Sequence, residues 1–254
     1  MSLFDLNGRV ALVTGGNGGI GLGMARGLAE AGAAVAIAGR NQSKSEAAAA
    51  ELAGLGVKTA VLTADVTDEA QCRRMVEDAV AQLGRLDILV SNAGINIRKA
   101  PQEYMLAEWR QVLDSNLTSA FCCAQAAYPT MKAQGGGKVI TIGSMLSIFG
   151  AGFAAAYGAS KGGVVQLTKA LATSWAKDNI QVNAVLPGWI DTDMTRAARE
   201  QVRGLNTMVL MRTPVGRWGV PADMAGVAVF LASPASDFIT GAAIPVDGGY
   251  SVQV

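Results

Sequence analysis

Short apolar runs rich in Val and Ile alternate along this chain with longer amphipathic stretches. Seven such runs occur, at residues 9–14, 33–38, 58–62, 86–90, 138–142, 181–185 and 242–246. Helical patterns separate many of them, at residues 20–31, 43–55, 68–83, 157–177 and 221–232. Short runs of this kind are typical of strands buried on both faces. The alternation predicts right-handed βαβ crossovers, and therefore an α/β fold with a doubly wound parallel sheet of about seven strands.

The composition supports one compact unit. Hydrophobic residues make up 50% of the 254 residues and charged residues only 16%, so a large core can be buried. No Pro/Ser-rich linker, repeat or low-complexity block interrupts the alternation. The sequence therefore predicts a single domain over residues 1–254.

Charge and residue usage exclude several classes of function. Twenty-one Lys and Arg balance twenty Asp and Glu, with no basic run, so nucleic acid is not expected as a partner. The chain has no His, which excludes a Ser-His-Asp hydrolase and removes the commonest metal ligand. Three cysteines without metal-binding spacing make disulfides and structural zinc improbable. No metal is expected.

Two features bear on localisation. The first residues lack the basic start and apolar middle of a secretory signal, which predicts a cytoplasmic protein. Residues 139–160 carry no charge and are long enough to be considered as a membrane span. Thr, Ser, Tyr and four Gly interrupt that stretch, so we interpret it as a buried strand followed by a loop, with no membrane partner.

A glycine-rich turn follows the first predicted strand. The sequence from Thr14 to Gly21 reads TGGNGGIG, and a helical pattern begins at once. Glycines allow positive φ and close backbone approach, while a helix N-terminus presents unpaired N–H groups to an anion. The turn therefore predicts a dinucleotide pyrophosphate site. The alternative is an ordinary turn in a chain that contains 31 glycines.

Tyr157 and Lys161 lie four residues apart in a helical pattern, and so on one helix face. A phenol has an ordinary pKa of about 10, too high for a good base at neutral pH. A nearby ammonium favours the phenolate, so we expect Lys161 to lower the pKa of Tyr157. The alternative interpretation is an ordinary amphipathic helix with an exposed lysine.

These features together resemble the short-chain dehydrogenase/reductase family. The pattern TGxxxGxG is the cofactor signature of that family, and Tyr157 and Lys161 match its YxxxK pair. Further matches extend the resemblance over essentially the whole chain: Asn92-Ala-Gly94, Asn116, Ser144, Pro187-Gly188, Thr192 and Asp247-Gly-Gly249. The resemblance implies a Rossmann-type fold and an oxidoreductase.

The resemblance also implies roles for individual residues. Ser144 is expected to hydrogen-bond the reacting oxygen and Tyr157 to pass it a proton, whereas Ser144 alone could equally satisfy a backbone group. Lys161 is expected to hold the cofactor ribose, and Asn116 to support a water relay. The expected cofactor-binding residues are Gly15, Asn17, Gly19, Ile20, Gly21, Arg40, Asp65, Val66, Asn92, Ala93, Gly94, Tyr157, Lys161, Pro187, Gly188, Ile190 and Thr192.

The choice between NADP(H) and NAD(H) depends on the end of the second predicted strand. Gly39 stands where similar NAD enzymes carry Asp, and Arg40 can bind a 2′-phosphate, so NADP(H) is favoured. NAD(H) stays as the alternative because Gly18 lies where some NADP-preferring relatives place a second basic residue. Asp65 and Val66 resemble the adenine-contacting pair, although Asp65 could equally begin a helical turn.

Three segments resemble the branch that contains gluconate 5-dehydrogenase and 2-keto-3-deoxygluconate (2-deoxygluconate) dehydrogenases: residues 96–99, 144–147 and 217–219. This resemblance implies interconversion of a ketone and a secondary alcohol on a sugar acid or related keto acid. Arg98, with Ser144 and Tyr157, is then expected to bind the substrate, unless Arg98 is a solvated surface residue. Residues from about 190 to 218 are expected to form a lid over it.

Other functions remain open at this point. A 3-oxoacyl carrier reductase or a broad-range ketone reductase would share every catalytic residue named above. A non-catalytic dinucleotide-binding module is the least favoured, since it would have no need of the full catalytic set. Similar proteins are mostly homotetramers, built here through helices near residues 103–132 and 157–177 and through the C-terminal strand, with residues 250–254 buried against another subunit.

Overall fold

A computed structural model, which describes residues 3–253, has one seven-stranded sheet in this part of the chain. The strands are β1 Val10–Thr14, β2 Ala34–Gly39, β3 Thr59–Thr63, β4 Ile88–Ser91, β5 Gly137–Ile142, β6 Ile180–Pro187 and β7 Ala243–Val246. They are all parallel, in the order β3-β2-β1-β4-β5-β6-β7. This confirms the predicted doubly wound Rossmann-type fold. The predicted domain also includes Met1, Ser2 and Val254, which lie outside the described residues.

The helices connect the strands and cover both faces of the sheet. They are α1 Gly19–Glu30, α2 Gln42–Ala53, α3 Glu69–Leu83, α4 Leu106–Leu113, α5 Ser119–Ala133, α6 Ala155–Trp175, α7 Asp193–Gln201, α8 Leu205–Arg212 and α9 Ala225–Ala232. All five predicted helical patterns are present, and the helix expected near residues 103–132 is divided into α4 and α5. No helix was predicted at α7 or α8, which lie within the segment expected to form the lid.

Strands β1, β2, β4, β5 and β6 each supply side chains to two separate apolar layers. In β1, Ala11 and Val13 belong to the layer that contains α1 and α9, whereas Leu12 belongs to the layer that contains α3 and α5. This division follows from the two-residue period of a strand. Because both faces are covered, every residue of β1 is buried. The near-continuous apolar runs of the sequence have their physical reason here.

The uncharged stretch of residues 139–160 is divided as expected. Its first part continues β5 to Ile142, a loop with one short turn follows, and α6 begins only at Ala155. Among the helices of residues 3–253, none combines the length and the apolar character needed to cross a membrane.

The strand order changes direction between β1 and β4. The chain moves outward from β1 to β2 and β3, and then crosses back to build β4 to β7 on the other side. The connections that leave β1 and β4 therefore depart in opposite directions, which opens a crevice beyond the carboxyl ends of these strands. Ligands of doubly wound sheets bind at this position.

Helix α1 lies in unusually close contact with the Pro221 turn and α9. A Cβ added at Gly23 would lie 2.1 Å from the Pro221 carbonyl oxygen, and one at Gly27 would lie 2.7 Å from the Ala225 Cβ. No side chain larger than hydrogen fits at either position without movement of the backbone. These two glycines therefore set the distance between α1 and its neighbours.

We expect Gly23→Ala to lower the free energy of unfolding by about 2 kcal/mol or more, because the added methyl group overpacks a rigid backbone contact. The control is Gly226→Ala in α9, where an added Cβ meets no atom within 4 Å. That change should be neutral or stabilising by up to about 1 kcal/mol, because alanine favours the helix. Urea unfolding measures both. Equal midpoints for the two variants would contradict this packing.

Candidate active site

The glycine-rich turn joins β1 to α1 with two residues in the left-handed region. Gly15 has φ +62° and Gly19 has φ +51°, which side chains larger than hydrogen disfavour. No side chain caps the start of α1, so its first N–H groups face the crevice without a side-chain acceptor. This geometry suits a phosphate.

Hydrogen bonds tie the end of β1 to the end of β4. The Asn92 side chain donates to the carbonyl oxygens of Thr14 at 3.0 Å and Gly15 at 3.1 Å. In return, the Thr14 hydroxyl accepts from the backbone N–H groups of Asn92 at 3.0 Å and Ala93 at 3.2 Å. A Cβ at Gly21 would lie 2.5 Å from the Asn92 amide nitrogen. Gly21 therefore allows α1 to pack closely against the ends of β1 and β4.

A cleft of about 550 Å³ extends along the crevice. It brings together most of the residues expected to bind the cofactor: Gly15, Asn17, Gly19, Ile20, Arg40, Asp65, Val66, Asn92, Ala93, Gly94, Tyr157, Lys161 and Thr192. Three others, Pro187, Gly188 and Ile190, line a neighbouring cavity instead. Gly21 lines neither of these two spaces, and it supports the turn from behind.

One end of the cleft contains Arg40 and Asp65. The Arg40 side chain is 72% exposed and lies 3.8 Å from a carboxylate oxygen of Asp65, a weak surface ion pair. Asp65 also accepts hydrogen bonds from the backbone and hydroxyl of Thr67, at 3.0 and 2.8 Å, and these bonds with the Arg40 charge lower its pKa. Asp65 therefore holds a turn and lines the cleft, whereas Asp68 caps α3; the contact of Asp65 with adenine stays a prediction.

Lys44 is a cleft residue that the sequence analysis missed. It lies in the first turn of α2, four residues after Arg40 in the sequence, and it lines the same end of the cleft. Its ammonium nitrogen lies 3.0 Å from where a Cβ of Gly18 would stand, and 3.5 Å from a carboxylate oxygen of Asp193 on α7. Lys44 thus places a cation beside Gly18, the position where the sequence lacks a second basic residue. The spacing from Arg40 was the available signal.

Ser144, Tyr157 and Lys161 meet where the cleft joins the neighbouring cavity. The Ser144 hydroxyl lies close enough to the Tyr157 phenol to act on its pKa, and it accepts a hydrogen bond from the Leu146 backbone N–H at 3.1 Å. The Lys161 ammonium donates to the Ile142 carbonyl oxygen at 2.7 Å and lies 5.6 Å from the centre of the Tyr157 ring. Tyr157 lines both spaces.

Burial dominates the titration of this pair. It raises the pKa of Tyr157, while the Ser144 hydrogen bond and the Arg98 charge act in the opposite direction. It lowers the pKa of Lys161 to about 8. The prediction that the lysine lowers the phenol pKa is therefore wrong for this arrangement, because desolvation outweighs the opposing interactions and the ammonium is bound to the Ile142 carbonyl.

Asn116 lies in a short π-helical segment, residues 114–118, between α4 and α5. Its amide oxygen accepts from the Ile95 backbone N–H at 2.7 Å, and its amide nitrogen donates to the Ile95 carbonyl and the Ser160 hydroxyl, both at 3.0 Å. Insertions of this kind occur often at functional sites. Here Asn116 connects the loop after β4 to α6. Its role in a water relay stays a prediction.

The neighbouring cavity has a volume of about 250 Å³ and is closed partly by α7 and α8. Met194, Thr195, Met208 and Arg212 of these helices line it, as does Arg98. One terminal nitrogen of Arg98 donates to the Met194 carbonyl at 3.0 Å, and the other to the Gln201 side chain at 3.2 Å. Arg98 therefore holds α7 down, and its role in substrate binding stays a prediction.

Comparisons with known proteins give the family. A family model described as enoyl-(acyl carrier protein) reductase matches residues 15–251. A crystal structure of a short-chain type dehydrogenase/reductase from Mycobacterium marinum superposes with a TM-score of 0.93 at 40% identity, covering 98% of each chain. This chain belongs to the short-chain dehydrogenase/reductase family. The membership confirms the resemblance and makes the protein an oxidoreductase.

The names of two relatives of this short-chain dehydrogenase/reductase state a substrate or bound ligands. A 2-dehydro-3-deoxy-D-gluconate 5-dehydrogenase from Dickeya dadantii (strain 3937) is 43% identical over 251 residues, 98% of each chain. A gluconate 5-dehydrogenase from Burkholderia cenocepacia J2315 was crystallised in complex with NADP and tartrate; its structure has a TM-score of 0.94 and 41% identity, covering 99% of this chain and 98% of that one.

The low pKa of Lys161 makes the stability of this dehydrogenase/reductase depend on pH. The pKa of Lys161 is about 8 in the folded protein and takes the ordinary value of 10.5 in the unfolded chain. At a pH between these two values, Lys161 binds a proton in the unfolded chain but mostly not in the folded protein. The contribution of Lys161 to the free energy of unfolding therefore rises with pH across that window. Above pH 10 the raised pKa of Tyr157 acts in the opposite direction.

We expect the difference in unfolding free energy between the wild type and Lys161→Met to rise by about 2 kcal/mol from pH 8 to pH 10. Urea unfolding of the cofactor-free proteins across this range measures it. Subtracting the unfolding free energy of the variant from that of the wild type removes the contributions of the other titrating groups. A difference that is flat with pH would show that Lys161 has an ordinary pKa.

Proposed function

We propose that this protein interconverts a ketone and a secondary alcohol on a sugar acid or related keto acid, with NADP(H) preferred over NAD(H). The observation that carries the proposal is the position of Tyr157. Its side chain lies where the dinucleotide-sized cleft meets a small cavity that Ser144 also lines, and Lys161 lies next to it. A reacting carbon there would have an acid/base group within reach of both spaces.

The cleft suits a dinucleotide. Glycines with positive φ and the open start of α1 would hold the pyrophosphate, and Lys161 would reach the ribose next to Tyr157. When bound, the nicotinamide supplies the two-electron redox chemistry. The chain itself orients the substrate oxygen through Ser144 and moves a proton at the Tyr157 phenol oxygen. With its raised pKa, Tyr157 is protonated at neutral pH and is poised to donate in the reduction direction.

Support for NADP(H) comes from the charges at the Arg40 end of the cleft. Arg40 and Lys44 both line it, and Gly39 leaves no carboxylate at the position that binds a ribose 2′-hydroxyl in NAD enzymes. The only carboxylate paired with Arg40 in residues 3–253 is Asp65, at 3.8 Å. A 2′-phosphate would find two cations there. The NADP complex of the Burkholderia relative agrees with this preference.

A sugar acid is the favoured substrate class. The Dickeya relative is named for a keto-deoxygluconate, and tartrate, a small dicarboxylic acid, was bound to the Burkholderia relative together with NADP. The cavity of about 250 Å³ has room for a molecule of this size. Reduction of a 3-oxoacyl carrier, as the family model's description suggests, or of varied ketones is the second candidate. A non-catalytic module is disfavoured by the complete catalytic set.

We also propose how this protein assembles and where it is located. A homotetramer built through α4, α5, α6 and β7 is consistent with Phe121, which α5 leaves 42% exposed. Tyr250, close to the C-terminus, is already buried within its own subunit, against Phe149. We propose a small-molecule substrate as the partner and the cytoplasm as the location.

We expect the purified protein to oxidise NADPH with 5-ketogluconate or 2-keto-3-deoxygluconate faster than with an acetoacetyl thioester or a simple aryl ketone. Absorbance of the reduced nicotinamide measures the turnover. Tyr157→Phe should reduce kcat by about 1000-fold, because it removes the transferred proton. NADPH binding to that variant, followed by nicotinamide fluorescence, should stay within about twofold of the wild type. Faster turnover of the thioester or aryl ketone would support the second candidate.

We expect Arg40→Ala and Lys44→Ala each to raise the Kd for NADPH by roughly 10- to 100-fold, because each removes a charge-assisted contact with the 2′-phosphate. The Kd for NADH should change by no more than about twofold. Arg74→Ala on α3 is the matched control, since this exposed arginine does not line the cleft. Equal losses for NADPH and NADH would show that neither residue reads the phosphate.

A further inference from the structure

Arg212, the last residue of α8, is a charged group for which the proposed chemistry has so far given no role. It lines the small cavity together with Ser144 and Tyr157. Its guanidinium lies 4.6 Å from the ring centre of Phe149 and 4.5 Å from that of Tyr250. Within residues 3–253, no carboxylate lies within ion-pair distance of it.

Two aromatic rings lie against this guanidinium. Rings of Phe149 and Tyr250 pack against it, and they pack against each other edge to face with their centres 6.3 Å apart. The planar fork of N–H groups on an arginine can bind a carboxylate in a two-pronged manner. The two rings therefore pack Arg212 beside the cavity before a ligand arrives.

The hydrogen-bonding capacity of the cavity wall is incompletely used. In the described part of the chain, four buried side-chain atoms have no hydrogen-bond partner: the Asn96 amide oxygen, the Trp189 indole nitrogen and the Nε atoms of Arg199 and Arg212. Three of these belong to residues that line this one cavity. Unpartnered buried polar groups are costly and uncommon, and they concentrate where a ligand compensates for them.

The charge balance of the cavity identifies the kind of ligand. Among the described residues, its wall contains two arginines, Arg98 and Arg212, and no Asp or Glu. The Arg98 terminal nitrogens already bind Met194 and Gln201, whereas Arg212 forms no side-chain hydrogen bond within the part of the chain that the structure describes. An anion in this space could therefore accept hydrogen bonds from Arg212, whose N–H groups are not already used by residues 3–253 of the protein.

We propose that Arg212 binds the carboxylate of the substrate and thereby selects acids over neutral ketones. This inference rests on the proposed function and replaces Arg98 as the carboxylate residue. Arg98 then acts as a positioning residue that holds α7 over the cavity. Because Arg212 lies on α8, a bound carboxylate would also fix the second lid helix against the aromatic pair.

The first test measures tartrate binding to the NADP complex, so it does not depend on turnover. Tryptophan fluorescence suits this, since Trp189 lines the cavity. We expect Arg212→Gln to weaken tartrate binding roughly 10- to 100-fold, and Arg212→Lys, which keeps the charge but loses the planar fork, by at least about fivefold. Arg203→Gln, which changes an exposed lid arginine that lines neither space, should match the wild type.

The second test compares 5-ketogluconate with the neutral ketose that lacks its carboxylate. Arg212→Gln should raise KM for the acid by roughly 10- to 100-fold, as for tartrate binding, and it should leave kcat/KM for the ketose within about twofold of the wild type. Circular dichroism confirms that each variant is folded, and Arg212→Lys keeps the test decisive if the glutamine variant is not. Wild-type affinity for tartrate in Arg212→Lys, or loss of tartrate binding in Arg98→Gln alone, would overturn the proposal.

The outcomes separate this inference from the proposed function. Wild-type protein that turns over neutral ketones or thioesters but no keto acid would contradict the sugar-acid function itself. Wild-type protein that prefers keto acids, with that preference unchanged in Arg212→Lys and Arg212→Gln, would keep the proposed function and overturn only the role of Arg212.

Discussion

The site depends on the hydrogen bonds between the ends of β1 and β4. Thr14 and Asn92 bind each other through side chain and backbone, and Asn92 also binds Gly15, so the two strand ends and the glycine turn form one rigid unit. The strand order changes direction at this point, and the crevice opens directly above it. Gly21 matters because any larger residue would push α1 away from that unit.

Burial, more than charge pairing, sets the chemistry at the junction of cleft and cavity. It raises the pKa of Tyr157 and lowers that of Lys161, so both groups are biased toward their neutral forms. The cavity beyond them contains Arg98 and Arg212, neither of which forms an ion pair with a carboxylate of residues 3–253. Such an arrangement is unfavourable in isolation, and functional sites commonly accept this kind of cost. A ligand that brings negative charge relieves it.

Much of the fold was predictable from local signals. Val/Ile runs and helical periodicity identified seven strands and five helices, because buried parallel strands and amphipathic helices impose different periods on the sequence. Helices α7 and α8 were missed, since they are short and the segment had been interpreted only as a lid. The glycine turn and the Tyr157–Lys161 spacing were visible because backbone conformation and the helical repeat are local properties.

The sequence by itself therefore determined the fold class and the family, and it supplied the prediction of which groups are catalytic. Only the tertiary structure decided what surrounds each cation. Lys44 lies beside Gly18, Arg98 is hydrogen-bonded to α7, and Arg212 packs against Phe149 and Tyr250. It also decided the direction of the Tyr157 pKa shift. The physical reason is that burial and charge pairing depend on side chains far apart in the sequence, whose distances are set by the packing of helices on the sheet.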